Sequence, residues 1–210
     1  MSQVDYKQAF RELYLPPARP VLLDVPKMLY AAVGGAGNPN DNPDFAAAMQ
    51  ALYAISYGVK MLPKKGPAPA GYYEYTIFPL EGIWDLDSPP DPVAAGLDKD
   101  KLVWTVMIRQ PDFVTPELLE SVRAAAAKKK DAPPVERVKL IEMADGLSVQ
   151  MMHIGPYDAE PASFALMDRF CADNGLVRNG HHHREIYLSD PRRTAPEKLR
   201  TVLRYFVSRK

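Results

Sequence analysis

The sequence predicts an α+β fold in which one strand-helix-strand-strand unit occurs twice. First, each half contains a strand, a Gly/Pro loop and a helix, in "MLYAAVGGAGNPNDNPDFAAAMQALYAISYGVK" and in "LSVQMMHIGPYDAEPASFALMDRFCADNGLVRNG". Second, a short strand follows each helix, in "YYEYTIFPL" and "HREIYLS". Third, each half closes on a strand that begins with Lys-Leu, "KLVWTVMIR" and "KLRTVLRYFV". Such internal repetition is typical of duplicated modules.

Periodicity and capping residues predict the helices. Apolar residues recur every three to four positions after about Asp44, and again after about Glu160, as an amphipathic helix requires. A third helix is predicted in "TPELLESVRAAAAKKK", with Thr115 as N-cap and Pro116 at its first position, and we expect it to bridge the two halves.

The remaining connections are predicted from turn residues. In "VERVKLIEMADGLSVQMMHIG" two β-rich runs flank Ala-Asp-Gly, which predicts a hairpin. The prolines of "PKKGPAPAG" and "DSPPDP" predict loops. The whole pattern predicts one domain over residues 1–210, made of a first module at 21–110 and a second at 111–210. If the modules pair about a pseudo-twofold axis, the sheet faces that carry no helix meet at a cleft, and ligand sites favour such seams.

Composition excludes several classes of partner. Acidic and basic residues balance at 26 each, so no broad basic field is present to hold nucleic acid. No stretch approaches the roughly 20 apolar residues that span a bilayer, and the N-terminus has no signal-peptide pattern. The glycines of "VGGAGNPND" lack the spacing of a nucleotide fingerprint, so no cofactor is predicted. With a single cysteine, the chain is expected to be cytoplasmic.

The segment "HHHREIYLSDPRR" at 181–193 is the strongest candidate for a site. Alternate residues of a strand share a face. Ile186 and Leu188 predict the core face beneath a helix, which would turn His183, Glu185 and Tyr187 toward the uncovered face.

Three interpretations of this strand remain open. His181, His183 and Glu185 could chelate a metal, although side chains two apart on a strand lie about 7 Å apart and need a further ligand. Glu185 could instead be a buried carboxylate that holds a ligand or activates water, with His183 tuning it. The third interpretation is a solvated strand edge with no chemistry. We predict no metal at this strand.

Aromatic residues favour the second interpretation. Flat rings around one carboxylate form a cage that suits a planar, apolar or cationic small molecule. Each ring taken singly is also explained by core packing, Trp104 above all. The candidate rings are Tyr75, Trp84, Trp104, Tyr157, Tyr187 and Tyr205.

Nearly the whole chain resembles the GyrI-like small-molecule-binding family, most specifically in "DYKQAFRELYLPP", "VGGAGNPND", "FPLEGIWD", "WTVMIRQPDFVTPEL" and "HHHREIYLSDPRRTAPEKLRTVLRYFV". The resemblance implies two fused modules of the SHS2 type with a ligand cleft between them. In the family's drug sensors a strand-borne glutamate pairs with cationic aromatic drugs, and Glu185 is the matching residue. Tyr205 matches a ring that stacks on such ligands. Only about twenty residues precede the first module, so no DNA-binding helix-turn-helix is expected.

The version of the domain with "PLEGIW" and "IRQPDFVT" resembles a subset that hydrolyses cyclopropane-bearing DNA-alkylating natural products. This resemblance implies an aromatic cage that holds the flat drug while water opens its cyclopropane. From the chemistry of the residues we predict that Glu185 is the base that activates this water, and that one tyrosine hydroxyl, with Tyr75 and Tyr205 as candidates, donates to the water or to the developing oxyanion. Two alternatives stay open. One is sequestration of planar xenobiotics without chemistry; the other is an interaction protein like the family's gyrase inhibitor. The expected partner is a planar aromatic small molecule.

Overall fold

The computed structural model describes residues 3–87 and 98–210, which form two compact units. Unit one comprises the described parts of Met1–Asp5, Met28–Phe78 and Leu86–Met143, and unit two comprises Tyr6–Lys27, Pro79–Asp85 and Ala144–Lys210. Both units combine helices with antiparallel strands, so the α+β class is confirmed. The module boundary at residue 110 and the cleft between modules stay predictions. The "DSPPDP" loop, apart from its first residue, lies outside the described residues.

The predicted helices are present, and two of them begin at capping residues. Asn42 and Thr115 accept hydrogen bonds through their side chains from the backbone N–H of Asp44 at 2.9 Å and of Leu118 at 3.2 Å. The helices are α1 Tyr6–Ala9, α2 Arg11–Tyr14, α3 Pro43–Lys60, α4 Pro116–Ala127 and α5 Glu160–Asp173. The strands are β1 Val21–Ala36, β2 Leu80–Leu86, β3 Leu102–Arg109, β4 Lys139–Ile154, β5 Leu176–Arg178, β6 His183–Tyr187 and β7 Arg200–Arg209.

Unit one contains an antiparallel β1–β3 pair and the helices α3 and α4. The pairing runs from Tyr30 opposite Arg109 to Ala36 opposite Val103. The two helices approach closely at Gly58, where an added Cβ would lie 2.4 Å from Cγ1 of Val122. The helix expected to bridge the halves, α4, therefore packs on α3 inside unit one.

Two strand predictions are wrong. In "YYEYTIFPL" the regular strand begins only at Leu80, and earlier only Tyr75 forms a bridge, with Val4. The rings of Tyr72 and Tyr73 both contact Phe113, whereas neighbouring side chains of a strand point to opposite faces. The hairpin predicted around Ala-Asp-Gly is instead the single strand β4, in which the glycine adopts a φ of 62° without reversing the chain.

Unit two is built around β7, which pairs with three strands. Strand β4 pairs with β7 from Ser148 opposite Phe206 to Ile154 opposite Arg200. Strands β5 and β6 also pair with β7, and β2 pairs with β6. Helix α5 covers one face of these strands. The buried cluster between them consists of Val149, Met151, Met167, Cys171, Leu176, Leu203, Tyr205 and Val207.

The opposite face of these strands carries a buried ionic network. Arg184 pairs with Glu81 at 2.8 Å and with Asp145 at 2.6 Å, and Arg204 pairs with Asp145 at 2.7 Å. Arg204 also donates to Gln150 at 2.8 Å. Two guanidinium groups and two carboxylates thus face one another away from water, where each charge requires a partner.

Among the described residues, no helix is both long enough and apolar enough to cross a membrane.

Candidate functional site

Glu185 accepts hydrogen bonds at both carboxylate oxygens from its neighbours on β6. His183 Nε2 lies 3.0 Å from Oε1, and the Tyr187 hydroxyl lies 2.8 Å from Oε2. Since an ionised carboxylate only accepts, both neighbours must donate to it. The three side chains share one face of the strand, as the alternation predicted, and Glu185 is 9% exposed.

Trp84 fixes the direction of this hydrogen-bonded chain. Its indole Nε1 lies 2.8 Å from the Tyr187 oxygen, and an indole N–H can only donate. The single hydroxyl hydrogen of Tyr187 is then free to point at Glu185. Burial first, and then the charge of Glu185, raises the pKa of Tyr187 well above its usual value, so this hydroxyl remains a donor throughout the physiological range.

Gly82 provides the space in which Trp84 lies. It pairs directly with Glu185 across the β2–β6 ladder and therefore shares its face. A Cβ at Gly82 would lie 2.7 Å from the indole nitrogen of Trp84 and 3.4 Å from the Tyr187 hydroxyl oxygen. The missing side chain lets the indole lie over the strand within reach of Tyr187.

The orientation predicted for this strand is wrong: Glu185 lies on the face that α5 covers. Glu185 pairs with Leu203, and paired residues share a face. Leu203 belongs to the cluster that packs under α5, and Phe164 of α5 contacts the His183 ring at 4.8 Å between centroids. The prediction failed because Arg184 holds the other face in the ionic network, through partners distant in sequence.

Tyr157 is the exposed ring of the site. It precedes α5, is 38% exposed, and meets the Tyr187 ring edge-on at 6.0 Å between centroids. Burial, followed by the charges of Glu185 and Glu160, raises the pKa of its hydroxyl. Tyr157 therefore offers a π-face and a neutral hydroxyl donor beside the carboxylate.

Glu160 is a second carboxyl at this site, and the sequence did not single it out. It is the first residue of α5 and only 7% exposed, and its charge is felt by Tyr157 and Tyr187 together with that of Glu185. An acidic residue in the first turn of a helix is ordinarily a solvated partner of the helix dipole, so its type and position gave no signal.

Tyr205 lies nearby, and two side chains cover its ring. Phe164 stacks on the ring at 5.5 Å between centroids, with planes 3° apart, and the guanidinium of Arg178 lies 3.6 Å from the ring centroid. The ring is 2% exposed. Its assignment as a ligand-stacking ring stays a prediction, and that role requires one of the two neighbours to move.

Tyr75 and Trp104 belong to unit one and lie in its core. Trp104 meets Phe45 edge-on at 5.0 Å between centroids, and its ring lies so close to Gly35 that an added Cβ there would be 2.2 Å away. Tyr75 is buried, which raises the pKa of its hydroxyl, and that hydroxyl has no hydrogen-bond partner among the described residues. Their ligand-binding roles stay predictions.

His181 does not join the other two members of the proposed metal set. It is exposed, and its carbonyl oxygen accepts from Arg178 at 2.8 Å. Over residues 3–87 and 98–210 no group of three or more His, Cys, Asp or Glu side chains is placed to hold a metal ion. His183 is instead engaged with Glu185.

Comparison with known proteins agrees with this architecture. Three solved structures from Listeria innocua match over nearly the full chain. Two are described as hydrolases, one with 38% sequence identity and a TM-score of 0.88 and the other with 39% identity and a TM-score of 0.89. The third is an uncharacterized conserved protein with 40% identity and a TM-score of 0.91. Each match covers 98–99% of this chain and 100% of the other. No curated protein matches. The model of the GyrI-like small molecule binding domain matches residues 19–206, and the chain therefore belongs to that family.

Proposed function

We propose that this protein is a hydrolase that opens the cyclopropane ring of planar, DNA-alkylating natural products. The observation that carries the proposal is the carboxylate of Glu185, held between two hydrogen-bond donors beside an exposed aromatic ring. Two full-length relatives of known structure are described as hydrolases, which supports water as the second reactant. The cyclopropane substrate follows from the resemblance of "PLEGIW" and "IRQPDFVT" to the hydrolytic subset of the family.

Glu185 acts as the general base in this reaction. A water molecule donates to a free lone pair of its carboxylate and attacks the CH₂ of the strained ring. His183 and Tyr187 hold the carboxylate in one orientation, so the base does not have to be ordered when substrate arrives. The electron pair of the broken C–C bond moves into the conjugated carbonyl of the substrate.

The ring of Tyr157 holds the flat body of the substrate in this proposal. It is the most exposed of the rings around Glu185, and its hydroxyl is a neutral donor in reach of polar atoms on the ligand. Trp84 acts indirectly through its hydrogen bond to Tyr187. A cytoplasmic location belongs to the same proposal, because DNA-alkylating compounds must be intercepted before they reach DNA.

A second candidate function is sequestration of planar or cationic xenobiotics without chemistry. The carboxylate of Glu185 close to the exposed ring of Tyr157 favours it, since an organic cation could lie against both. Both functions use the same glutamate, and they differ in whether the ligand leaves unchanged.

The deciding experiment is mass spectrometry of a spirocyclopropyl alkylator incubated with wild type, Glu185→Gln and Glu197→Gln. Glu197 is an exposed glutamate and controls for the loss of one negative charge. We expect wild type and Glu197→Gln to add one water per drug molecule over many turnovers, and Glu185→Gln to be slower by roughly 100-fold or more. Recovery of intact drug from wild type would exclude hydrolysis, and drug that is bound but intact would establish sequestration.

A further inference from the structure

Glu160 is a buried carboxyl whose polar atoms are not all paired. It is 7% exposed, and among the described residues its Oε1 has no hydrogen-bond partner. It begins α5, yet its side chain is turned inward where most first-turn acids face water. A buried polar atom without a protein partner is explained by a bound water, a ligand or a chemical role.

The charges around Glu160 disfavour its ionised form. The charged groups that act on it are Asp158, on the turn before α5, and Glu185, on β6, and both are carboxylates. Other titratable groups near the two glutamates are the phenols of Tyr157 and Tyr187 and the imidazole of His183. The imidazole is hydrogen-bonded to Glu185. An ionised carboxyl here would lose its hydration, and no cation of the described part of the chain compensates that loss.

Burial above all, followed by the charges of Glu185 and Asp158, raises the pKa of Glu160 to about 9. The two glutamates therefore differ in environment. Both oxygens of Glu185 accept hydrogen bonds, whereas among the described residues Oε1 of Glu160 has no partner and the charges that act on Glu160 repel its ionised form. Two carboxyls held in such different surroundings are the usual basis of an acid and base pair.

We propose that Glu160 is the proton donor of this site and forms an acid–base pair with Glu185. The inference rests on the proposed hydrolysis and adds to it a requirement on the substrate. The ligand must present a conjugated carbonyl oxygen toward Glu160, so the favoured substrate class is a neutral spirocyclopropyl dienone. An organic cation that carries no acceptor oxygen cannot take the proton of this carboxyl.

Water, the substrate and the two glutamates are enough to account for every proton in the ring-opening reaction. Water gives one proton to Glu185 as its oxygen bonds to the cyclopropane CH₂, and the ring C–C bond breaks toward the carbonyl. That carbonyl oxygen takes the proton of Glu160 and becomes a phenol. Glu185 is then protonated and Glu160 ionised. Transfer of the proton between them restores the starting state, because burial and the neighbouring charges favour the protonated form of Glu160. The net change is the addition of one water.

The test is the pH dependence of turnover in Glu160→Gln and Asp158→Asn. Glu160→Gln keeps the size and neutrality of the protonated acid but has no proton to give. We expect kcat to fall by roughly 100-fold or more while the Kd for the drug changes by less than about threefold. Wild-type kcat should fall as the pH rises through about 9, because the acid then loses its proton. Asp158→Asn should keep its neutral-pH kcat and move this decline to lower pH, because one repelling charge is removed.

Infrared difference spectroscopy separates this inference from the proposed function. At pH 7 the spectrum of wild type minus that of Glu160→Gln should contain the carbonyl stretch of a neutral carboxylic acid. This band should disappear above about pH 9. Absence of the band at pH 7 overturns the inference whatever the turnover. Equal kcat in wild type and Glu160→Gln overturns it while leaving the hydrolase function intact. A wild type that never consumes the drug overturns the proposed function itself.

Discussion

Replacing Gly82 with alanine tests the packing on which the candidate site depends. The added Cβ would lie 2.7 Å from Nε1 and 3.2 Å from Cε2 of Trp84, whereas ordinary contacts begin near 3.4 Å. The indole must therefore shift by roughly 0.7 Å or more, and its 2.8 Å hydrogen bond to Tyr187 lengthens beyond normal range. Overpacking of this kind costs about 1–3 kcal/mol, which for a chain of this length lowers Tm by roughly 4–8 °C at the middle value.

Gly34 supplies a matched control for that change. It also lies in a strand, and an added Cβ would make only ordinary contacts, the nearest at 3.8 Å from the Trp104 carbonyl oxygen. Gly34→Ala should leave stability unchanged or raise it by about 0.4–1 kcal/mol, since alanine restricts the unfolded chain. Thermal unfolding followed by circular dichroism measures both variants. Equal Tm values for Gly82→Ala and Gly34→Ala would refute the close packing of Trp84 on Gly82.

Three further substitutions test separate contacts. Tyr187→Phe should lower the free energy of unfolding in urea by about 1–3 kcal/mol, because it leaves a buried indole N–H without an acceptor; no change would contradict that hydrogen bond. Asp145→Asn should lower the free energy of unfolding in urea by about 3–5 kcal/mol, and Glu81→Gln should lower it by less. The reason is that burial raises the pKa of Glu81, whereas at Asp145 two arginines outweigh burial and lower the pKa. Equal losses of unfolding free energy would argue against this difference between the two carboxyls. Arg178→Ala should uncover the Tyr205 ring, which can then stack on a planar ligand and lower its Kd roughly two- to tenfold. Fluorescence titration measures this Kd, and an unchanged value would remove Tyr205 from the site.

Local sequence signals predicted most of the elements and the grouping of the site. A period of 3.6 residues and the cap at Thr115 depend on neighbours a few residues away, and the helices are found where these signals lie. Strand alternation was sufficient to place His183, Glu185 and Tyr187 on one face. The repeated strand-helix-strand-strand pattern was sufficient for the fold class.

The two failures at the site, the orientation of β6 and the missed Glu160, share one physical cause, which is dependence on partners distant in sequence. Apolar Ile186 favoured the core face, but Arg184 on the same face is buried because carboxylates 39 and 103 residues away neutralise it. Glu160 was missed for a related reason. Its burial follows from how α5 packs on the strands, and the first-turn position alone is typical of a solvated acid.

The two faces of β6 depend on each other through the register of the strand. Side chains alternate, so a slip of one residue would exchange the face of Glu185 with that of Arg184. Such a slip would separate Arg184 from Glu81 and Asp145 and leave buried charges unpaired, at a cost of about 3–5 kcal/mol for the first pair broken. The ionic network thus holds the strand in the one register that presents Glu185 to Tyr187, His183 and the α5 side. A network on the opposite face of β6 consequently determines where the Glu185 carboxylate points.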